Sequence, residues 1–533
     1  MLNGKKNLKH LKKVGYICMD RALLIEMGQH MVTGFPGTSM TQDFIDAVKR
    51  AKIGNVILFS HNIETLAQVN KLCKEIDKLI TTETGHHPFI TIDQEGGMVS
   101  RLPESAPVLP GQMALSAIDD DNAIEYCTYQ NGLLLKKIGC NFNLAPSVDV
   151  NENQKNPVIG VRSFGEGAEA VAHNGSKAIK GYIKSGILSC AKHFPGHGDT
   201  NIDSHLSLPL IDKSFSEMQN QLLPFKRAIE SGVPAVMSSH ILFPQLEKEK
   251  VPCTMSRTLL TGLLREKLGF KGLVLTDCME MKAIATYFGT TQGAIKALKA
   301  GADLIFISHH ADLAEQTIYE MCKMKEEGFF DEKELTASIE RIYEHKRSFK
   351  AIDIVSDWSE FDLLKKTFDE LAQKSSVTIK EGRPKSLDKL TFIAPRAFIT
   401  SNISDQLDRN DFASWMNKEF RGSEKKICTA DPKEEEIKAI VDSISLDRTV
   451  VFGSYNAHLQ TGQLEIIRAL YEKGIPIHLF ILRNPYEATK EIIDMVESCT
   501  LTFEYSERMF ERCRDLLKGS VVSTGKLPIR LEI

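Results

Sequence analysis

Residues Gly186 to His205 read GILSCAKHFPGHGDTNIDSH and join a short apolar run to a cluster of ionisable side chains. The part from Gly186 to Ala191 is typical of a buried strand, and Pro195, Gly196 and Gly198 break any helix that follows it. The last fourteen residues hold three His, two Asp and one Lys. Removing unpaired charges from water costs several kcal/mol each, so we expect this loop to line a cleft or to bind a ligand.

The same arrangement, an apolar run followed by polar residues, occurs eight times between about residues 25 and 350. Amphipathic segments with apolar residues every three or four positions separate the runs. Eight β-α repeats over roughly 320 residues predict a TIM (β/α)8 barrel with insertions. An open doubly wound sheet is the alternative, because periodicity does not tell whether a sheet closes. The runs are Met31–Gly34, Val56–Phe59, Phe89–Ile92, Phe142–Ala145, the run leading into Lys192, Ala235–Ser238, Leu273–Thr276 and Leu304–Ile307.

A chain of 533 residues exceeds the usual size of one hydrophobic core, and a second pattern begins near Ser375. We predict a catalytic barrel over residues 1–350, a helical linker over 351–374 and a smaller α/β sandwich domain over 375–533. The predicted strands of the second domain are Lys389–Ala394, Thr449–Gly453, Ile477–Leu482 and Thr500–Phe503, with helices at Leu464–Tyr471 and Met509–Leu517.

Composition excludes several classes of function. The net charge of −4 gives no basic surface for nucleic acid and no polybasic membrane patch. No apolar run is long enough for a membrane helix, and the basic opening of the chain is not followed by the apolar segment of a secretory signal. The eleven cysteines are scattered without a CxxC pair, which is typical of reduced thiols in a cytoplasmic protein.

Two carboxylates stand where a barrel places its chemistry. Asp277 ends the seventh run and Asp93 ends the third. At the carboxyl end of a strand, Asp277 would act as nucleophile, base or metal ligand, although Asp is also a common N-cap of a following helix.

The loop after the fifth run allows two chemistries. In the first, a divalent metal activates a water near Asp277. In the second, no metal is needed, and Asp203 orients His205 as an acid/base group. The loop lacks a regular helical His spacing, which favours the second. The candidate metal ligands are His193, His197, Asp199, Asp203 and His205.

Six motifs along the predicted barrel carry a family resemblance. They are DQEGG at 93–97 with Arg101, Asn156-Pro157 through Arg162-Ser163-Phe164-Gly165, KHFPGHGDT at 192–200, Asp203-Ser204-His205 followed by Pro209, Met237-Ser238-Ser239-His240, and Thr276-Asp277. Together they resemble family 3 glycoside hydrolases, within them the β-N-acetylhexosaminidase branch. Weaker similarity continues into the second domain of two-domain members through RNPY at 483–486 and GKLP at 525–528.

The resemblance implies a retaining mechanism with a covalent glycosyl-enzyme intermediate. Asp277 would attack the anomeric carbon, and His205, paired with Asp203, would serve as general acid and then as base. A His departs from the usual pair of carboxylates, but an imidazole with a pKa near ~6.5 can serve both steps.

The resemblance also assigns the residues that would hold the terminal sugar by its hydroxyl groups. For Arg101 and Arg162, an ion pair with a nearby carboxylate is the alternative. Met98 departs from the family, because many relatives carry a basic residue after the Gly-Gly pair. The implied sugar-binding residues are Asp93, Arg101, Arg162, Lys192 and His193.

We therefore expect a cytoplasmic exo-β-N-acetylglucosaminidase that needs no cofactor or metal and acts on short saccharides such as muropeptide fragments or chitobiose. A β-N-acetylglucosaminide phosphorylase is the close alternative, because a His adds no negative charge near an incoming phosphate. A metal-dependent barrel hydrolase and a non-enzymatic sugar-binding protein are the others. The sequence leaves open the role of the second domain and whether the protein is a monomer or a homodimer.

Overall fold

The computed structural model describes residues 19–200, 208–396, 411–531 and 533. Its first part is a closed barrel of eight parallel strands in chain order, in which β8 pairs with β1. The predicted TIM barrel is confirmed, and closure removes the open-sheet alternative. The strands are β1 (Met31–Thr33), β2 (Asn55–Leu58), β3 (Ile90–Ile92), β4 (Phe142–Asn143), β5 (Leu188–Phe194), β6 (Ala235–Ser238), β7 (Leu273–Cys278) and β8 (Leu304–Ile307).

Helices surround the barrel and bury their apolar faces against the outside of the strands. A π-helix spans Thr258–Lys267, and short 3-10 turns span Ser60–Asn62, Gly160–Arg162 and Cys253–Met255. The α-helices are α1 (Arg21–Gln29), α2 (Gln42–Ala51), α3 (Leu66–Thr84), α4 (Gln112–Ile118), α5 (Asp121–Ile138), α6 (Ala168–Ser185), α7 (Gln219–Glu230), α8 (Lys282–Ala285), α9 (Thr290–Ala300), α10 (Ala311–Glu326) and α11 (Glu332–Lys346).

The inside of the barrel is filled by apolar side chains, with one lysine beneath them. Lys346 is buried, and its Nζ donates to Gln29 Oε1 at 2.7 Å and to the carbonyl of Gly54 at 3.2 Å. It also lies 4.8 Å from the ring centre of Phe89. Burial lowers the pKa of Lys346 well below its usual value.

The second domain is built on a six-stranded sheet with the order β11-β10-β12-β13-β14-β9. Only β9 runs antiparallel to its neighbour. Separate apolar clusters cover the two faces, so the domain is the predicted α/β sandwich. Its strands are β9 (Val377–Lys380), β10 (Leu390–Pro395), β11 (Glu424–Cys428), β12 (Thr449–Ser454), β13 (Ile477–Ile481) and β14 (Ser498–Leu501).

Helix α12 (Glu360–Lys374) connects the barrel to β9. Helices α13 and α17 pack on one face of the second sheet, and α14, α15 and α16 pack on the other. None of the helices in the described ranges is long and apolar enough to cross a bilayer. The helices are α13 (Phe412–Glu419), α14 (Glu434–Asp442), α15 (Gly462–Glu472), α16 (Lys490–Met495) and α17 (Glu507–Lys518), with a 3-10 turn at Pro485–Glu487.

The second domain rests on the loops that follow β3 and β4, at the carboxyl end of the barrel. Met98 lies in the apolar cluster of the second domain, and its Sδ accepts the Tyr505 N–H at 3.3 Å. The side chain that departs from the family pattern is therefore part of the domain interface. Further hydrogen bonds cross this interface, among them those from Arg508 Nη1 to the carbonyl of Val108 at 2.6 Å, from Lys526 N to the carbonyl of Ala117 at 2.7 Å, and from Asn151 Nδ2 to Tyr486 Oη at 2.6 Å.

Candidate active site

The polar cluster that starts at Lys192 begins inside a strand. We predicted that the loop starts at Lys192, but β5 continues to Phe194, so Lys192 and His193 are strand residues. Both are buried, Lys192 against carboxylates that follow β3 and His193 against a carboxylate that follows β4. Fixed on a strand, the two side chains are positioned more rigidly than loop residues would be.

An alternating chain of charges runs across the mouth between β3, β4 and β5. Lys192 Nζ lies 2.7 Å from Asp93 Oδ1 and 2.7 Å from Glu95 Oε1. Arg162 forms a bidentate ion pair with Glu95, in which Nε donates to Oε2 at 2.9 Å and Nη2 donates to Oε1 at 2.7 Å. Arg101 Nη2 lies 3.8 Å from Asp93 Oδ2. Four of these five side chains are almost completely shielded from solvent, whereas the Asp93 side chain is 18% exposed.

Within this chain of charges, Glu95 and Lys192 favour each other's ionised forms. Burial alone would raise the pKa of Glu95, but the adjacent Arg162 and Lys192 outweigh burial and hold that pKa far below its usual range. For Lys192, burial would lower the pKa, and the carboxylates of Asp93 and Glu95 raise it instead. Charged donors and acceptors form stronger hydrogen bonds than neutral ones, which suits the binding of sugar hydroxyls.

His193 is oriented by a buried carboxylate that follows β4. Its Nδ1 lies 2.7 Å from Asp149 Oδ2, and because a carboxylate only accepts, Nδ1 carries the proton. In the neutral ring Nε2 is then an acceptor that can bind a hydroxyl donor. Burial would raise the pKa of Asp149, but His193 outweighs it and lowers that pKa to about 2.

His197 and Asp199 bond to their own loop and to neighbouring segments. The His197 N–H donates to Asp149 Oδ1 at 2.7 Å, and its Nδ1 lies 3.0 Å from Thr200 Oγ1. Burial, with the nearby His193, lowers the pKa of His197 to about 4. Asp199 pairs with Lys213 at 2.8 Å.

Asp277 stands near the end of β7, half-buried, and its Oδ1 accepts the N–H of Cys278 at 2.7 Å. Cys278 is also held by the segment that follows β6, because His240 Nε2 lies 3.0 Å from the Cys278 carbonyl oxygen. His240 Nδ1 in turn lies 2.8 Å from Thr254 Oγ1. The backbone next to Asp277 is therefore fixed on both its N–H and its carbonyl.

Aromatic and histidine rings line another part of the mouth, at the ends of β2 and β8. Phe59 stacks between His61 and His309, with ring centres 5.6 and 4.9 Å apart. The Arg101 guanidinium lies 5.8 Å from the centre of the same Phe59 ring. Glu280 accepts the His309 N–H at 2.7 Å, so this wall is tied to the segment after Asp277.

The predicted site residues divide into two groups. Asp93, Arg101, Arg162, Lys192 and His193 lie together at the carboxyl ends of β3 to β5, and Asp277 lies at the same end of β7. Asp203 and His205 fall within residues 201–207, outside the described part of the chain. Both alternatives for Arg162 remain compatible with its position, since it forms the ion pair with Glu95 and still borders Asp93 and Lys192 through that pair.

The candidate metal set is only partly within the described residues. Of its five members, His193, His197 and Asp199 are engaged with Asp149, Thr200 and Lys213 respectively. Across the described ranges, no group of three or more His, Cys, Asp or Glu side chains has the arrangement of a metal site.

Sequence reasoning missed Glu95, Asp149 and the role of His240. Glu95 stands in the DQEGG motif two residues after Asp93, and Asp149 follows the fourth run as Asp277 follows the seventh. Their position after apolar runs was the available signal. Their partners, Arg162 at 67 residues and His193 at 44 residues along the chain, could not be read from spacing.

The fold and this site define a TIM-barrel enzyme whose charged groups gather at the carboxyl ends of the strands. Residues 13–344 match the family model described as the glycosyl hydrolase family 3 N terminal domain. The chain therefore belongs to family 3 of the glycoside hydrolases.

Similar proteins place it in the β-N-acetylhexosaminidase branch. The β-hexosaminidase A of Pseudoalteromonas piscicida is 35% identical over 328 residues, which cover 57% of this chain and 55% of that protein. The chain thus spans about half the length of this relative. A β-hexosaminidase of Neisseria meningitidis serogroup C is 35% identical over 272 residues, covering 50% of this chain and 73% of the relative.

The likeness extends over both domains in a solved structure. The structure of a family 3 β-N-acetylglucosaminidase from Paenibacillus sp. str. FPU-7 matches with a TM-score of 0.87 and 32% identity. The match covers 96% of this chain and 99% of that one. The second domain therefore belongs to the shared architecture.

Proposed function

We propose that this protein is a retaining exo-β-N-acetylglucosaminidase that hydrolyses a terminal β-linked N-acetylhexosamine. The observation that carries the proposal is the position of Asp277 at the carboxyl end of β7, in the mouth that also holds Lys192 and Asp93. Relatives named as β-hexosaminidases and β-N-acetylglucosaminidase support the choice of sugar.

In the proposed first step, Asp277 attacks the anomeric carbon and the glycosidic bond breaks. The bond from the Cys278 N–H to Oδ1 fixes the rotation of the carboxylate, and Oδ2 is the oxygen we assign to the attack. His205 donates its proton to the leaving oxygen. In the second step His205 takes a proton from water, which attacks the same carbon and releases Asp277.

The sugar is held by the charged side chains opposite Asp277. Asp93 accepts from hydroxyl groups, Lys192 and Arg101 donate to them, and His193 accepts at Nε2. Glu95 and Arg162 hold Lys192 in place from behind. Because these groups are already ordered by one another, little reorganisation is needed when the sugar enters.

We further propose a reducing, cytoplasmic location and substrates such as cell-wall muropeptide fragments or chitobiose. The ten cysteines in the described part of the chain are all free, and nine of them are buried. Free thiols in this number suit a reducing compartment.

Product analysis tests the proposal. The protein is incubated with an aryl β-N-acetylglucosaminide, with and without inorganic phosphate, and the first product is followed by proton NMR. We expect free N-acetylglucosamine that appears first as the β-anomer in both arms. The α-anomer as first product would contradict retention, and N-acetylglucosamine 1-phosphate in the phosphate arm would identify a phosphorylase.

A variant and a chelator test the catalytic group. Asp277→Ala should lose at least ~1000-fold in kcat, as expected when a covalent nucleophile is removed. Near-normal hydrolysis by this variant would refute the assignment of Asp277. If a chelator abolishes activity and a divalent metal restores it, the metal-dependent alternative is correct.

A further inference from the structure

We propose that Asn484, a residue of the second domain, is a positioning residue for Arg162 in the barrel mouth. The inference rests on the proposed function, in which Arg162 and Glu95 hold Lys192 in place and Lys192 binds the sugar. It assigns the second domain a part in substrate binding, which the sequence leaves open.

The contact between Asn484 and the barrel is direct and buried. Asn484 Oδ1 accepts the N–H of Val161 at 2.9 Å, and its Nδ2 donates to Asn456 Oδ1 at 2.9 Å. The two asparagines are 4% and 1% exposed. The bond to Asn456 fixes which way the Asn484 amide points, so its oxygen faces the barrel.

Val161 directly precedes Arg162 in the 3-10 turn Gly160–Arg162. The approach at this turn is close, because a Cβ on Gly160 would lie 2.2 Å from Asn484 Oδ1, and Gly160 has a φ of +46°. Both features require glycine. The turn is therefore shaped to receive a side chain from the second domain.

A second bridge holds the same turn. Asn151 Oδ1 accepts the N–H of Gly160 at 3.1 Å, and Asn151 Nδ2 donates to Tyr486 Oη at 2.6 Å. Two successive N–H groups of the turn are thus held by the second domain, one directly by Asn484 and one through Asn151.

The part of the second domain that makes these bonds is itself anchored. Tyr486 lies in the 3-10 turn Pro485–Glu487, and Glu487 Oε1 accepts from Ser454 Oγ at 2.6 Å. Glu487 Oε2 lies 3.2 Å from His458 Nδ1. The turn is fixed to the end of β12 and cannot shift independently of the sheet.

The consequence reaches the sugar through the charge chain. Arg162 donates two hydrogen bonds to Glu95, and Glu95 also forms an ion pair with Lys192. Lys192 in turn forms an ion pair with Asp93, which we propose binds the sugar. The barrel fixes the carbonyl of Arg162 through Gln112 Nε2 at 2.6 Å, and Asn484 fixes the preceding N–H. Loss of the bond from the Val161 N–H to Asn484 would let the turn move and weaken the hydrogen bonds between Arg162 and Glu95.

The test compares Asn484→Ala with a matched control elsewhere in the barrel. Asn70 is 1% exposed and also clasps backbone, with Nδ2 3.1 Å from the carbonyls of Lys137 and Asp353 and Oδ1 3.0 Å from Val355 N. Asn70→Ala removes an equivalent set of bonds on α3. Three readouts are taken for each variant, namely kcat and KM on the aryl glycoside, affinity for N-acetylglucosamine by calorimetry, and hydrogen exchange of residues 158–166.

We expect Asn484→Ala to raise KM and weaken N-acetylglucosamine binding by about tenfold, the worth of one buried hydrogen bond, with kcat within about twofold. Exchange at 158–166 should rise as well. Asn70→Ala should lower the melting temperature and leave all three readouts unchanged. Asn484→Asp keeps the acceptor for Val161, and the Asn456 amide can turn its Nδ2 toward it, so KM should return to within about threefold of wild type.

Unchanged exchange at 158–166 in a folded Asn484→Ala protein would overturn the inference, and so would faster exchange with unchanged KM and affinity. If Asn484→Ala does not fold, Tyr486→Phe replaces it, because that change removes only the hydroxyl bonded to Asn151; it should raise exchange and KM in the same direction. Failure of the proposed function would look different, since wild-type protein would then neither cleave the glycoside nor bind the sugar.

Discussion

His240 donates a hydrogen bond from Nε2 to the carbonyl oxygen of Cys278 at 3.0 Å, and thereby ties the segment that follows β6 to the residue after Asp277. The N–H of that same residue donates to the Asp277 carboxylate. We infer that the orientation of the carboxylate is set by a buried imidazole in the segment after the neighbouring strand.

We predict that His240→Leu lowers kcat by about tenfold to a hundredfold, because a small displacement of an attacking group is costly. KM should change little, since His240 is not among the sugar-binding residues. His240→Gln, which can place an amide N–H near Cys278, should recover part of the loss. Steady-state kinetics on an aryl glycoside measure both.

Ser239→Ala is the matched control for this prediction. Ser239 is buried next to His240, and its Oγ has no hydrogen-bond partner within the described residues. The change should leave kcat unchanged. Equal losses in Ser239→Ala and His240→Leu would mean that the segment after β6 is merely sensitive to substitution.

Glu95→Gln should be strongly destabilising and should abolish sugar binding. The change removes the charge that balances Arg162 and Lys192 inside the protein, and breaking such a buried pair costs about 3–5 kcal/mol. Urea unfolding measures the loss. Asp199→Asn, which breaks a partly exposed pair with Lys213, should cost less than about 1 kcal/mol, and a similar loss in both variants would contradict the prediction.

The Asp149–His193 pair should make stability depend on acid. Because the pKa of Asp149 is lowered to about 2 in the folded protein, the pair stabilises the fold above the ordinary pKa of Asp and loses this contribution as pH falls from about 4 to about 2. The free energy of unfolding of wild type, relative to Asp149→Asn, should therefore fall by about 2 kcal/mol over this range. Parallel curves for the two proteins in urea titrations would refute it.

Lys346 should make the free energy of unfolding depend on pH on the alkaline side as well. Its pKa is lowered by burial, so below the ordinary value of 10.5 the unfolded chain binds the proton more readily than the folded one. Stability should therefore rise with pH toward that value, by up to about 1.4 kcal/mol per pH unit relative to Lys346→Met.

Urea unfolding of both proteins between pH 7 and 9.5 checks this prediction. Cysteines and tyrosines titrate in wild type and variant alike, so their effects cancel in the difference. No change in the difference with pH would show that Lys346 stays charged in the folded protein.

The strands of the barrel were predictable because each combines an apolar run with polar residues at its carboxyl end. Ala235–Ser238 and Leu304–Ile307 are strands over the predicted residues. In the second domain, the prediction missed β9 and β11 and placed β14 two residues late. Both missed strands lie at sheet edges, and β11 reads EKKIC, whose exposed charged residues give no apolar signal.

The sequence indicated candidate site residues only where a single residue type follows an apolar run, as at Asp277, Asp93 and Lys192, and the structure places these three at the same end of the barrel. Partnerships between distant segments were not predictable. Glu95 with Arg162, Asp149 with His193, and Asn484 with Val161 each join parts of the chain that only the closed barrel and the docked second domain bring together. The RNPY motif was noticed by resemblance, but its contact with the mouth required the structure.

The place of Met98 in the apolar cluster of the second domain has a consequence for how the molecule melts. Met113, Ala114 and Val161 from the barrel lie in the same cluster, so part of the second domain's core is supplied by the barrel. Calorimetry should show a single cooperative unfolding transition. A barrel expressed without the second domain would expose the apolar side chains that it contributes to this cluster, and it should aggregate. The barrel therefore needs the second domain to stay folded and in solution.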